Sequence, residues 1–419
     1  MLKRFKPKSE FSRNVLTLMT GSMIAQAIPI AISPILTRIY TPEDFGMFAL
    51  YMSISSLFAI FATGRYELAI MLPKKDEDAV NILLLSIIIT FFVSMLSFFI
   101  ILLFNQEIVS WLGNASLSNW LYVIPFSVLF TGLYQSFNYW NNRKKAYKRL
   151  AVSRVTQSAT TGSVNLGMGW GGFGVSGLIV AGLLGQVAAI TVLGKIIWKN
   201  DKRMTKYLNK IKIIALIKKY KKFPLLNLPN AVIDSFRLSG INLLIAKYFA
   251  TATLGQFSLA WKMVHVPMVL VGGSLAQVFF QKLASIHKRD LYAVILKYIT
   301  KASLIAAPIF LVVFLFSEKI FGFVFGENWT MAGEAASVMT PWLFINFVSS
   351  PLVSVMMILN KQELVLFFSL FYASVPLGLI ILLHEHEFID VLSVITGTMS
   401  IMLLLFSMVI IYYAKKERV

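Results

Sequence analysis

The chain has 419 residues, of which 57% are hydrophobic and 14% charged, with no cysteine and a net charge of +20. Soluble domains carry about a quarter charged residues, so the polar shell that a soluble core of this size needs is missing. Disulfides, thiolate metal sites and cysteine nucleophiles are excluded outright.

A helix that crosses a bilayer needs about 20 mostly apolar residues. Such runs fall at roughly 14–37, 45–64, 79–104, 118–140, 151–169, 175–198, 223–247, 254–280, 291–316, 334–358, 364–383 and 390–413. Helices are expected because lipid offers no partner to an open strand edge. The first run continues from Ile24 to Ile39 with no small-residue cleavage site behind it, which predicts a retained span rather than a signal peptide. With both termini placed in the cytoplasm, 34 of the 39 Lys and Arg fall in inside loops; Arg38, Arg237, Lys247, Lys262 and Lys319 are left over. Basic residues hold cytoplasmic loops inside and meet anionic lipid there. The charge therefore points to membrane topology, and nucleic acid is not an expected partner, since no aromatic-studded basic face accompanies it.

The expected architecture is all-α, with twelve transmembrane helices in two parallel six-helix halves, 1–198 and 223–419. Between them lies a basic connector, 199–222, in which Ile211, Ile213, Ile214, Leu216 and Ile217 alternate with lysines. That pattern predicts an amphipathic helix on the inner leaflet. An internal repeat supports the two halves. At a constant offset of 209, Arg38 meets Lys247, Tyr40 meets Phe249, Gly46 meets Gly255, Phe48 meets Phe257 and Leu50 meets Leu259. Parallel repeats of this kind flank the substrate site in transporters.

A charged side chain at mid-bilayer costs about 2.5–3.5 kcal/mol, so such residues face a wet cavity or a partner. The seventh run carries Asp234 and Arg237 at i,i+3, and the eighth carries Lys262. One reading is a cationic cavity in which Arg237, Lys262 and Arg65 receive an anionic headgroup. The other is a private Asp234–Arg237 ion pair, and the two are compatible. For Arg65 and Glu67, at the end of the second run before Pro73, snorkelling to the inner interface is the favoured expectation. Coupling to a proton or sodium gradient would run through Asp234. Pro29, Pro34, Pro229, Pro267 and Pro308 are expected to kink their helices.

Other motifs carry less. Gly167–Gly177 lacks the Lys-Ser/Thr of a phosphate loop and reads as a turn. His384-Glu385-His386-Glu387 reads as an exposed loop rather than a metal site. No loop collects converging His, Asp, Glu or Ser groups, so neither catalysis nor a cofactor is expected.

Two segments, Leu36-Thr37-Arg38-Ile39-Tyr40-Thr41-Pro42-Glu43-Asp44-Phe45-Gly46 and Arg65-Tyr66-Glu67-Leu68-Ala69-Ile70-Met71-Leu72-Pro73, resemble the polysaccharide exporter family of O-antigen and capsule flippases. Phe325-Gly326-Glu327-Asn328-Trp329, Pro341-Trp342, Ser350-Pro351-Leu352 and Lys361-Gln362 are similar to its pattern around the tenth run. The resemblance implies the V-shaped fold of multidrug efflux and lipid II flippases, placed in the cytoplasmic membrane. It also implies a lipid-linked substrate, an oligosaccharide on undecaprenyl pyrophosphate, whose two phosphates suit a cationic cavity. A drug or cation antiporter on the same fold would prefer an anionic cavity. A membrane enzyme of glycan assembly would need the catalytic cluster that is missing.

Overall fold

The computed structural model describes residues 10–266, 268, 272, 276, 279, 283 and 286–417, with side chains from Thr17 onward except that of Lys288. Among these residues there is helix and no strand. The principal helices are α1 (Glu10–Ile39), α2 (Pro42–Ala59), α3 (Asp76–Leu112), α4 (Ile124–Arg143), α5 (Tyr147–Trp170) and α6 (Val175–Asp201). They continue as α7 (Lys210–Lys219), α8 (Leu228–Tyr248), α9 (Thr251–Val264), α10 (Leu291–Phe325), α11 (Thr330–Ser349), α12 (Gln362–Leu383) and α13 (Phe388–Lys416). Every apolar run contains a helix. Among the described residues seven helices are long and apolar enough to cross a membrane, or eight if the pair Ala115–Leu121 and Ile124–Arg143, bent by 45°, makes one span. The other runs form helices that are shorter or more polar, such as α5 with Lys148, Arg149 and Arg154. The chain is thus a multi-pass, all-helical membrane protein.

The chain divides into two compact units, residues 1–243 and 244–419. In the first, α5 packs on α1 and α6, α4 on α3 and α6, and α2 on α4. Helix α3 shows why the unit suits lipid: Ser86, Thr90 and Ser97 are buried, while Phe92 and Leu103 are 67% and 70% exposed. The arrangement is inverted relative to a soluble helix, with hydroxyls facing protein and large apolar groups facing out. The hydroxyls bond across helices, Ser86 to Ser136 at 2.9 Å and Tyr51 to Ser127 at 2.6 Å. At Gly21 a Cβ would lie 2.8 Å from the Ala151 Cα, so glycine is what lets α1 approach α5.

The connector belongs to this first unit. Asn81 of α3 donates to Tyr207 O at 3.0 Å and accepts from Asn209 N–H at 2.9 Å. Leu216 and Tyr220 are buried in one apolar cluster with Tyr66, Ile70, Ile82 and Trp140. The expected amphipathic helix exists as α7, with Ile211 79% exposed and Leu216 buried, so only part of its apolar face is free for lipid.

In the second unit α11 packs on α9, α10 and α13, and α12 packs on α13. Ser317 donates to Gly333 O at 2.7 Å, where a Cβ would meet the α10 backbone at 2.5 Å. Gln256 donates to Asn328 O at 2.6 Å and accepts from Ala332 N–H at 3.0 Å, which fixes α9 to the start of α11.

The prolines divide. Pro29 and Pro34 lie inside α1, Pro308 inside α10, and Pro341 and Pro376 inside α11 and α12. Pro229 instead follows directly on a π-helical turn over Phe223–Asn227 that runs without a break into α8. Pro267 lies outside the described residues.

Candidate functional site

In the first unit the chain leaves α2 through a tightly wound turn, with Ala62 N–H on Ala59 O at 3.1 Å and Gly64 N–H on Phe61 O at 3.0 Å. Gly64 and Arg65 both take left-handed backbone angles, φ 57° and 63°. Glycine adopts this freely; for arginine it costs about 1 kcal/mol. The turn sets Arg65 before the short helix Tyr66–Ala69, with its guanidinium 3.6 Å from the Glu67 carboxylate. Thr63 donates to the other carboxylate oxygen. Glu67 is 1% exposed. It does not snorkel outward as expected: a hydroxyl four residues back and the neighbouring cation satisfy it inside the protein. The Arg65 Nε is buried and has no partner among the described residues.

Helix α8 carries Asp234 and Arg237. Asp234 is exposed and Arg237 half-buried, and both share a face with the exposed Ile233 and Leu238. The opposite face is tied to α2, Ser239 to Ser56 at 2.8 Å and Asn242 to Ser53 at 2.9 Å. Among the described residues Asp234 and Arg237 form no ion pair, and the Arg237 Nε is buried without an acceptor. The private pair is therefore not made among the described residues.

In the second unit Lys262 lies on α9, exposed and without a hydrogen bond or ion pair among the described residues. It stands beside an aromatic series that sequence reasoning missed. Trp261 stacks on Trp342 at 5.6 Å and meets His265 in a tilted contact at 4.1 Å, and Phe257 lies 5.8 Å from Trp261. The Trp342 indole donates to the Tyr372 hydroxyl at 2.7 Å. The i,i+4 spacing of Phe257, Trp261 and His265 was visible in the sequence, but apolar runs hide such a stripe among core aromatics. Flat rings beside a free ammonium offer stacking surfaces and one anion contact.

The structure brings Arg65 to Glu67 and sets Asp234 and Arg237 on one helix face; Lys262 belongs to the other unit. No group of three or more His, Asp or Glu placed to hold a metal occurs among the described residues, the His384–Glu387 loop included.

A bundle that turns its hydroxyls inward and its large apolar groups outward is that of a multi-pass membrane protein, and solved structures share the fold. The chain is similar to an inward-facing multidrug resistance MATE family transporter of the MOP superfamily, at 15% identity over 95% of this chain and 99% of that one, TM-score 0.74. It is similar to the lipid II flippase MurJ, inward closed, at 13% identity over 96% and 90% of the two chains, TM-score 0.72. A MOP superfamily transporter from Pyrococcus furiosus Vc1 gives a TM-score of 0.60 at 14% identity, with 96% of each chain covered. No curated protein matches the sequence. The family described as Polysaccharide biosynthesis protein matches residues 35–334, and the chain belongs to that family.

Proposed function

We propose that this protein is a flippase that carries a lipid-linked oligosaccharide, on an undecaprenyl pyrophosphate carrier, across the cytoplasmic membrane. It works by alternating access in O-antigen or capsule assembly. The observation that carries this reading is that neither Arg237 nor Lys262 has an ion-pair partner among the described residues. A cation in a membrane bundle with no protein partner is costly unless it meets water or an anion, and a diphosphate supplies two. The family supports the pathway and the fold supports transport rather than catalysis. Twelve spans in two six-helix lobes, with both termini cytoplasmic, is the architecture that goes with it. Trp261 and His265 beside Lys262 suit sugar rings, which stack on aromatic faces.

A drug or cation antiporter is the second reading on this fold. The charges on α8 and α9, Arg237 and Lys262 against Asp234, favour an anionic cargo. Gradient coupling through Asp234 is part of the proposal: Asp234→Asn makes transport insensitive to collapse of the proton or sodium gradient. An unchanged ionophore response in that variant removes Asp234 from coupling. Deletion of the gene is expected to leave carrier-linked glycan on the inner leaflet, and normal surface glycan in the deleted strain contradicts the flippase reading. In the complemented strain, Arg237→Ala with Lys262→Ala reduces export to below about a tenth, the scale of a lost charge-assisted contact of about 1.5–3 kcal/mol. Full export by that double variant takes both residues out of the substrate path.

A further inference from the structure

At the end of the first unit that carries its basic loops, two neighbouring cations of the turn after α4 are matched. Arg143 donates to Asp76 at 2.8 Å, and Lys144 bonds the same carboxylate and lies 3.9 Å from Asp201. The next three cations are not matched. Lys145, Lys148 and Arg149, in the turn from α4 and the first residues of α5, have no side-chain hydrogen bond or ion pair among the described residues. All three line one cavity of about 630 Å³ that has no acidic residue among the described residues of its wall. Its other walls include Thr17 of α1, Val152 of α5 and Ile196 of α6.

Three features fit this cavity to one kind of ligand. Lys145 holds a left-handed position, φ 53°, where glycine is strain-free and any other side chain costs about 1 kcal/mol. The start of α5 has no side-chain cap and no acidic residue in its first turn, so its amide end adds to the positive field. Trp198, two residues beyond Ile196, is 64% exposed, as indoles are at headgroup depth.

We propose that this cavity is a headgroup site for an anionic phospholipid of the inner leaflet. Lys145, Lys148 and Arg149 hold the phosphate, and Val152 and Ile196 take the first acyl carbons. Basic pockets between membrane helices on the cytoplasmic side are suited to such headgroups. The apolar wall beside the cations is what favours a lipid over a free anion. The site binds a resident lipid and does not depend on what the protein transports.

Native mass spectrometry of the detergent-purified full chain tests it, with cardiolipin, phosphatidylglycerol and phosphatidylcholine as probes and inorganic phosphate as competitor. The wild type is expected to retain one anionic lipid in preference to phosphatidylcholine. In Lys145→Gln/Lys148→Gln/Arg149→Gln that lipid binds about a hundredfold more weakly, about fivefold for each cation. The variant Lys218→Gln/Lys219→Gln/Lys221→Gln, with the same charge loss on the connector, keeps it within about threefold, because a pocket is local and surface charge is not. Equal weakening in both triple variants, or retention in the first, overturns the site. Displacement by millimolar phosphate reassigns it to a free anion and also overturns the proposal. If the pocket triple does not purify, Lys148→Gln decides: about fivefold weaker binding restored by Lys148→Arg supports the site, and unchanged binding refutes it.

Discussion

Glu67 shows how a single carboxylate is kept inside a membrane protein. Its oxygens meet Thr63 and Arg65, and its side chain is 2% exposed against 26% for that of Arg65. Removing one partner of such a pair leaves the other uncompensated. Glu67→Gln and Arg65→Gln are each expected to lower thermal stability in detergent. The double variant should lose less than their sum, with a coupling of about 0.5–3 kcal/mol; strict additivity would mean that the two charges do not interact. Arg65→Gly separates backbone from side chain, since it relieves about 1 kcal/mol of left-handed strain while removing the same charge. In the sequence Arg65-Tyr66-Glu67 looked like the end of a long helix at the membrane surface. The two left-handed residues that turn the chain inward leave no periodic mark, and only Gly64 hints at them. By the same logic the spacing of Asp234 and Arg237 was legible, but their failure to pair was not, because i,i+3 spacing permits a pair without requiring it.

Helix positions followed from apolar runs more closely than their membrane roles did. Lipid demands internally bonded backbone, so any apolar run of sufficient length becomes helix. Whether a Ser- and Thr-rich helix such as α5 crosses by itself is decided by its neighbours. The repeat was legible down to its edges: α1 ends at Ile39 and α8 at Tyr248, α2 starts at Pro42 and α9 at Thr251, each pair 209 apart. Leu50 and Leu259, matched by the same offset, are 0% and 1% exposed. The docking of the connector was not legible, because Asn81 sits in an apolar run four residues after Glu77 and nothing local marks its partners. Asn81 is fully buried and bonds both Tyr207 and Asn209. Asn81→Ala is expected to strip those bonds at a cost of about 1–3 kcal/mol. The connector lysines should then be cut by trypsin at least about tenfold faster, with the rest of the chain unaffected. An unchanged cleavage rate would show that the apolar contacts of Leu216 and Tyr220 hold the segment alone.

At the scale of the whole molecule, composition settled the class and the resemblance settled the family, since both are properties of many residues at once. The substrate path is the property of a few. Arg237 and Lys262 stood out as charges that the positive-inside pattern does not explain, and neither has an ion-pair partner among the described residues. The aromatic group around Trp261 was hidden by its chemistry, because a tryptophan in an apolar run reads as core. The family, the fold and two cations with no ion-pair partner among the described residues support the proposal of a protein built to move an anionic, sugar-bearing lipid.

Transfer of labelled carrier-pyrophosphate oligosaccharide between leaflets of proteoliposomes tests that claim most directly. The purified protein should deliver the label to a membrane-impermeant glycosidase well above the rate of protein-free vesicles, and Arg237→Ala/Lys262→Ala should return it to that background. A wild-type rate equal to that of empty vesicles, with the protein folded and inserted, would contradict it.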